Sequence, residues 1–128
     1  MHEPLKPSVV IFVADVAGMT AFYAELASLD TVHADRDHAV LDMPGLQLVI
    51  HAMRGAQREN HSAPVPLRED ATVKLCLPVD SIGAARDRAA KLGGAIKAAK
   101  YEWEARGFRA CDGNDPEGNV IQVRETAA

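Results

Sequence analysis

The sequence predicts an α+β protein made of two consecutive βαβββ modules, and three observations predict it. Hydrophobic spacing changes from alternate residues to helical periodicity and back, twice, in the same order. A polar stretch at 54–70, holding Pro64 and Pro66 and no apolar period, separates the two runs. Asp15 and Gly18 in the first run are matched by Asp80 and Gly83 in the second, which gives the chain the layout of an internal duplication.

The first module covers about residues 7–53. Ser8 to Val13 is rich in β-branched and aromatic side chains that suit a pleated surface, and Asp15 offers an N-cap oxygen for the helix that follows. Val16, Met19, Phe22, Tyr23 and Leu26 recur at helical spacing and form one apolar stripe, which reads as core. Thr31 to Ala34 and His38 to Leu41 are short strands around a polar turn at Asp35, Arg36 and Asp37. Met43, Pro44 and Gly45 then turn the chain into a strand from Leu46 to Ala52. Along that strand Leu46, Leu48, Ile50 and Ala52 share one face, and Gln47, Val49 and His51 share the other.

The linker at 54–70 is read as a tether, with a lid or dimer arm as the functional alternative. The second module covers about residues 71–125. Ala71 to Leu77 is expected as a strand. Asp80 is expected to cap a helix that buries Ile82, Ala85, Ala89 and Leu92, with Gly93 and Gly94 as left-handed C-terminal residues. Ala95 to Tyr101, Phe108 to Cys111 and Val120 to Arg124 supply three more strands. The turn Asp115, Pro116, Glu117, Gly118, Asn119 is the strongest local signal: Pro116 presets one backbone angle, Gly118 accepts a positive one, and Asp115 can bond its own backbone. In the strand after it, Ile121 and Val123 point one way and Val120, Gln122 and Arg124 the other.

A length of 128 residues suits one domain able to bury a core without disulfides. A net charge of −4 argues against nucleic acid as the main partner, because phosphate binding needs a basic surface. Two cysteines, Cys76 and Cys111, and no apolar run long enough to span a bilayer give no sign of export or of a membrane partner. The expected location is the cytoplasm.

The closing Asp-Pro-Glu-Gly-Asn turn, the strand after it and the upstream helix running from Val79 and Asp80 to Gly93 and Gly94 resemble the vicinal oxygen chelate superfamily. That superfamily includes glyoxalase I, the extradiol dioxygenases and the fosfomycin- and bleomycin-resistance proteins. The resemblance spans Ser8 to Arg124. It implies that the modules form a cup-shaped mixed sheet around a central pocket, and that the chain acts as a homodimer. In metal-dependent relatives the ligands lie on the first and last strands of each module, positions that fall here on Ser8, His51, Lys74 and Gln122. An ammonium has no lone pair to donate and a serine hydroxyl is a poor ligand for zinc, nickel or iron(II), so the usual ligand set is expected to be missing. No cofactor is expected, with a divalent metal as the alternative.

The polar residues expected to line the pocket are Ser8, Gln47, His51, Lys74, Gln122 and Arg124, with Cys76 beside Lys74 and Trp103 at the rim. Lys74 and Arg124 suit a carboxylate, phosphate or enolate oxygen, and His51 is the group that would move a proton if the chain is catalytic. The blander readings are that Lys74 and Arg124 pair with Glu102, Glu104 or Glu125, that Trp103 is packing, and that Cys76 and Cys111 are small buried hydrophobes. His33 and His38 show no ligand-like spacing along the chain. The leading expectation is a small-molecule-binding protein with a cationic pocket for an anionic or oxygen-rich ligand. The alternatives are a metal-dependent lyase or oxygenase rearranged around His51, and a dimerising interaction domain without a pocket.

Overall fold

The computed structural model describes residues 4–55 and 66–127, so most of the linker, with His61 and Pro64, lies outside the described residues. The first module runs β1 (Ser8–Val13), α1 (Val16–Ala27), β2 (Asp30–Ala34), β3 (His38–Met43) and β4 (Leu46–Ala52). The second runs β5 (Leu75–Pro78), α2 (Ile82–Lys91), β6 (Ala95–Ile96), a 3-10 turn (Ala99–Tyr101), β7 (Trp103–Ala105), β8 (Phe108–Asn114) and β9 (Val120–Thr126). Sheet one has the order β1-β4-β3-β2. Sheet two repeats it as β5-β9-β8, with β6 and β7 both on the far edge of β8. In each sheet the first and last strands are parallel and the other pairs antiparallel. The duplication expected from the sequence is therefore a duplication of topology.

Three local expectations are corrected. The strand expected from Ala71 begins only at Leu75, because Leu75 pairs with Ile121 and β9 itself starts one residue earlier at Val120, leaving nothing to pair with upstream. The strand expected over Ala95 to Tyr101 is interrupted after Ile96. Arg86 holds the excursion outward, Nε donating to Lys97 O at 2.8 Å and Nη2 to Glu102 Oε2 at 2.6 Å. The cap of α2 is Ser81, whose Oγ accepts from Ala84 N at 3.1 Å, where Asp80 was expected. Two adjacent residues of good capping type leave that choice to the backbone.

Gly93, at φ +91°, is the left-handed residue that ends α2. Gly94 is needed for a different reason: a Cβ there would meet Phe22 Cε2 at 2.5 Å and Asn114 O at 2.6 Å. The chain after α2 thus lies directly against α1 of the other module.

The core is one cluster. Val16, Met19, Phe22, Tyr23 and Leu26 of α1 cover Val13, Leu41, Leu48 and Ile50 of sheet one, while Ile82, Ala85 and Ala89 of α2 cover Leu77, Ile96, Ile121 and Val123 of sheet two. The two helices touch each other, and among the described residues no strand of one sheet pairs with a strand of the other. The modules are joined through α1, α2 and the turn between β8 and β9.

That turn is tied down by buried polar groups. Asp115, fully buried, accepts the Tyr23 hydroxyl at 2.6 Å, the backbone N–H groups of Glu117 and Asn119 at 2.9 and 3.0 Å, and Asn119 Nδ2 at 2.8 Å. Burial pushes the Asp115 carboxyl up from its ordinary value. It also pushes the Tyr23 phenol well up, joined by the Asp115 charge, so the hydroxyl keeps the proton it donates. Glu117 reaches across to the start of α1, accepting Ala14 N at 2.8 Å and Asp15 N at 2.9 Å, where the helix dipole also favours a carboxylate. Tyr23→Phe, which removes one donor to a charged acceptor, is expected to lower stability by about 1.5–3 kcal/mol in urea unfolding. An unchanged midpoint would show that the Tyr23 bond does not hold the modules together.

Candidate functional site

Alternation along the strands puts one face of each sheet on its helix and leaves the other open. On sheet one the open face carries Ser8, Val10 and Phe12 of β1, Gln47, Val49 and His51 of β4, and His38, Val40 and Asp42 of β3. On sheet two it carries Cys76 of β5, Val120, Gln122 and Arg124 of β9, Asp112 and Phe108 of β8, and Trp103 of β7.

The residues expected to form one pocket fall into two groups, and among the described residues no hydrogen bond or ion pair links them. In sheet one Ser8 lies opposite Gln47, whose Nε2 donates to Asp42 Oδ1 at 3.2 Å, and Lys6 closes that carboxylate at 2.9 Å. His51 sits opposite Phe12, four residues along β4 from Gln47, a distance of about 13 Å at the usual rise. Its Nδ1 donates to Ala52 O at 2.9 Å. Ser8 and His51 therefore do not converge.

In sheet two the expected residues do converge, around a group that the sequence did not single out. Asp112 Oδ1 accepts Lys74 Nζ at 3.2 Å and Gln122 Nε2 at 2.9 Å, and the Gln122 carbonyl accepts Arg124 Nε at 2.6 Å. The Arg124 guanidinium lies 4.3 Å above the Phe108 ring, and Trp103 meets Phe108 edge-on with ring centres 6.1 Å apart. Gln122 is only 5 % exposed although it is on the open face, because these neighbours cover it. Lys74 does have a carboxylate partner, but it is Asp112 and not Glu102, Glu104 or Glu125; Glu102 is taken by Arg86, Glu104 by Arg109, and Glu125 caps Ile82 N. Arg124 has no carboxylate within ion-pair distance among the described residues. Cys76 lies opposite Gln122 and is exposed, which corrects its reading as a buried hydrophobe; Cys111 is buried as expected.

A cavity of about 460 Å³ adjoins this network, lined by Lys74, Lys97, Asp112, Asn114 and Val120 on the sheet side and by Leu67, Glu69 and Ala71 from the end of the linker. Burial tends to raise the Asp112 carboxyl. The hydrogen bonds from Gln122 and Lys74 and the charges of Lys74 and Lys97 outweigh it and hold the group below its ordinary value. Of the four positions carried over from the resemblance, Lys74 donates to Asp112 and the Gln122 oxygen accepts from Arg124.

This combination of paired βαβββ modules with polar open faces defines a class of protein, and comparison with known proteins agrees with it. The glyoxalase-like domain matches residues 8–124, and the chain belongs to that family. A glyoxalase/bleomycin resistance protein/dioxygenase family enzyme from Burkholderia phytofirmans is 20 % identical with a TM-score of 0.67, over 94 % of this chain and 97 % of that one. A glyoxalase-related enzyme from Fulvimarina pelagi is 14 % identical with a TM-score of 0.68, over 95 % and 88 %. A fosfomycin resistance protein from Listeria monocytogenes is 16 % identical with a TM-score of 0.65, over 99 % and 96 %. At these identities the likeness is one of fold. Among the curated proteins none matches this sequence. No helix among the described residues is long and apolar enough to cross a membrane.

A depressed carboxyl contributes stability that is present above its unfolded value of about 3.8 and is lost as pH falls toward its folded one. The stability difference between the parent and Asp112→Asn is therefore expected to shrink as pH falls from 5 to 3. It should not exceed about 1 kcal/mol, because both Asp112 and Lys74 are a third or more exposed. A difference that stays constant across that range would show that Asp112 is not held by charge.

Proposed function

We propose that the chain is a small-molecule-binding member of the glyoxalase-like family, and that its ligand site is the open face of sheet two. The ligand is a small anionic or oxygen-rich molecule with a planar part. The observation that carries this reading is Arg124. Its Nε is fixed on Gln122 and its plane on Phe108, while its terminal nitrogens make no hydrogen bond among the described residues. A guanidinium held in one orientation with its fork free is suited to a carboxylate or phosphate taken through two parallel bonds. Trp103, 42 % exposed beside Phe108, offers a face for the planar part; the cavity lined by Lys74 and Asp112 lies at the other end of the same network and is not lined by Arg124 or Trp103.

Lys74 adds positive charge that Asp112 partly cancels, so Arg124 is the principal anchor. Binding in this reading needs no cofactor and no divalent metal. Structural neighbours described as fosfomycin resistance proteins support a small-molecule role. The cup is completed in a homodimer: Val10 and Phe12 are 45 % and 59 % exposed on the open face of sheet one, and among the described residues β1 and β5 are edge strands. Apolar side chains in that position suit cover by a second copy.

Trp103 is the only tryptophan, so intrinsic fluorescence reports directly on the site. Benzoate, phenylphosphonate and inorganic phosphate, titrated by fluorescence and calorimetry, are expected to bind, with the two aromatic anions tighter than phosphate. Arg124→Ala should weaken them about tenfold or more, the worth of a charged hydrogen-bonded pair. The protein should sediment as a dimer. Absence of binding by all three probes, or equal binding by the variant, would overturn the site; a monomer would overturn the dimeric cup.

A further inference from the structure

The β2–β3 hairpin carries a second constellation of chemistry-bearing groups, on sheet one and independent of the ligand site on sheet two. The turn at 35–37 is closed by Asp35, whose Oδ1 accepts the backbone N–H groups of Asp37 and His38 at 2.8 and 3.0 Å. With that oxygen occupied, Oδ2 is left facing two imidazoles. His33 Nε2 lies 2.9 Å away and His38 Nδ1 3.4 Å away. The three candidate ligand atoms all lie within 4.8 Å of one another.

The rings are held from behind. His38 stacks on His51 with centres 5.8 Å apart and planes within 25°, and His51 rests against Phe12 at 5.6 Å. Ala52 N donates to Asp37 O at 2.7 Å, which ties the turn to the end of β4. The aromatic row Phe12, His51, His38, His33 thus crosses all four strands of sheet one and presents two imidazole nitrogens to one carboxylate oxygen.

We propose that His33, Asp35 and His38 form a binding site for a divalent transition-metal ion of the zinc, nickel or copper class. Donors about 2.0–2.2 Å from one tetrahedral ion stand about 3.3–3.6 Å apart; the His38 separation from Asp35 Oδ2 matches that at 3.4 Å, and the His33 separation, at 2.9 Å, needs to open by a few tenths of an ångström. Two imidazoles with a single carboxylate oxygen select this class over magnesium and calcium, which require mostly oxygen ligands. Three protein ligands leave at least one position for water or for an exogenous donor, on the solvent side of the hairpin. None of the four positions at which metal-dependent relatives place their ligands takes part. His51 supports the site as a stacking surface only, since its ring lies parallel to that of His38 and its Nδ1 is spent on Ala52 O.

The site depends on a hairpin irregularity. The register between β2 and β3 shifts between Thr31 and His33, and that shift places His33 opposite Val40 on the same side of the sheet as His38. A regular hairpin would have sent the His33 ring to the opposite face.

The test is titration of the full chain with zinc and nickel by calorimetry, and with cobalt(II) by visible absorption. The result expected is one ion per chain, no competition from magnesium, and affinity at least tenfold weaker in each of His33→Gln and His38→Gln. His51→Phe, which keeps a ring to stack on but cannot ligate, should bind as the parent does. Because all three positions are at or near the surface, far-ultraviolet circular dichroism and the unfolding midpoint without metal are expected to be unchanged. Binding weaker than millimolar, binding that survives both glutamine variants, or binding lost in His51→Phe would each overturn the assignment.

Discussion

The structure depends on one buried carboxylate. Asp115 lies at full burial where burial alone disfavours its charge, and it is held there by two backbone N–H groups, a side-chain amide and the Tyr23 hydroxyl. Three of those donors belong to its own turn and fix the reversal between β8 and β9. The fourth comes from α1 of the other module, so a single group sets a local turn and the docking of two halves together. A buried charge with every donor in place specifies one arrangement, whereas a half-satisfied one would be costly. Glu117, two residues on, reinforces the same junction by accepting from the backbone at the start of α1.

The network proposed as the ligand site on sheet two follows from that junction. Once the turn is fixed, the register of β8 against β9 is fixed, and with it the placing of Asp112 opposite Gln122 and of Ala110 opposite Arg124. The parallel pairing of β5 with β9 then sets Cys76 opposite Gln122 and brings Lys74 to Asp112. A slip of one residue would exchange the two faces of β9, burying Arg124 and exposing Val123. The arrangement of an oriented guanidinium beside two aromatic rings is thus a consequence of the turn chemistry as much as of the residues themselves.

Much of this is legible in the sequence because much of it is local. Alternation assigned Val120, Gln122 and Arg124 to one face and Gln47, Val49 and His51 to one face, and both hold, since side-chain direction in a strand depends only on parity. The stripe on α1 was legible for the same reason at helical period. What the sequence did not yield is what register decides. Asp112 lay just beyond the expected end of its strand, and its pairing with Lys74 joins β8 to the segment just before β5, 38 residues away in the chain. Gly94 reads locally as a helix terminator, and only the packing of Phe22 against it shows why no larger residue fits. The histidines at 33 and 38 have no ligand spacing along the chain; they meet because of the shift in the β2–β3 pairing, for which the sequence gives no sign. The cap of α2 moved by one residue because Asp80 and Ser81 are both good caps.

The proposed function rests on Arg124, presented by the Asp112–Gln122 network, receiving the ligand's anionic group on the open face of sheet two. The most direct measurement is side-chain nuclear magnetic resonance of the labelled protein during titration with benzoate, following the Arg124 Nε–H, the Gln122 side-chain amide and the Trp103 indole N–H. These three signals are expected to shift together, with one dissociation constant, while the Tyr23 and Asp115 junction is unmoved. Shifts confined to sheet one, or an Arg124 signal that stays fixed as the others move, would contradict it.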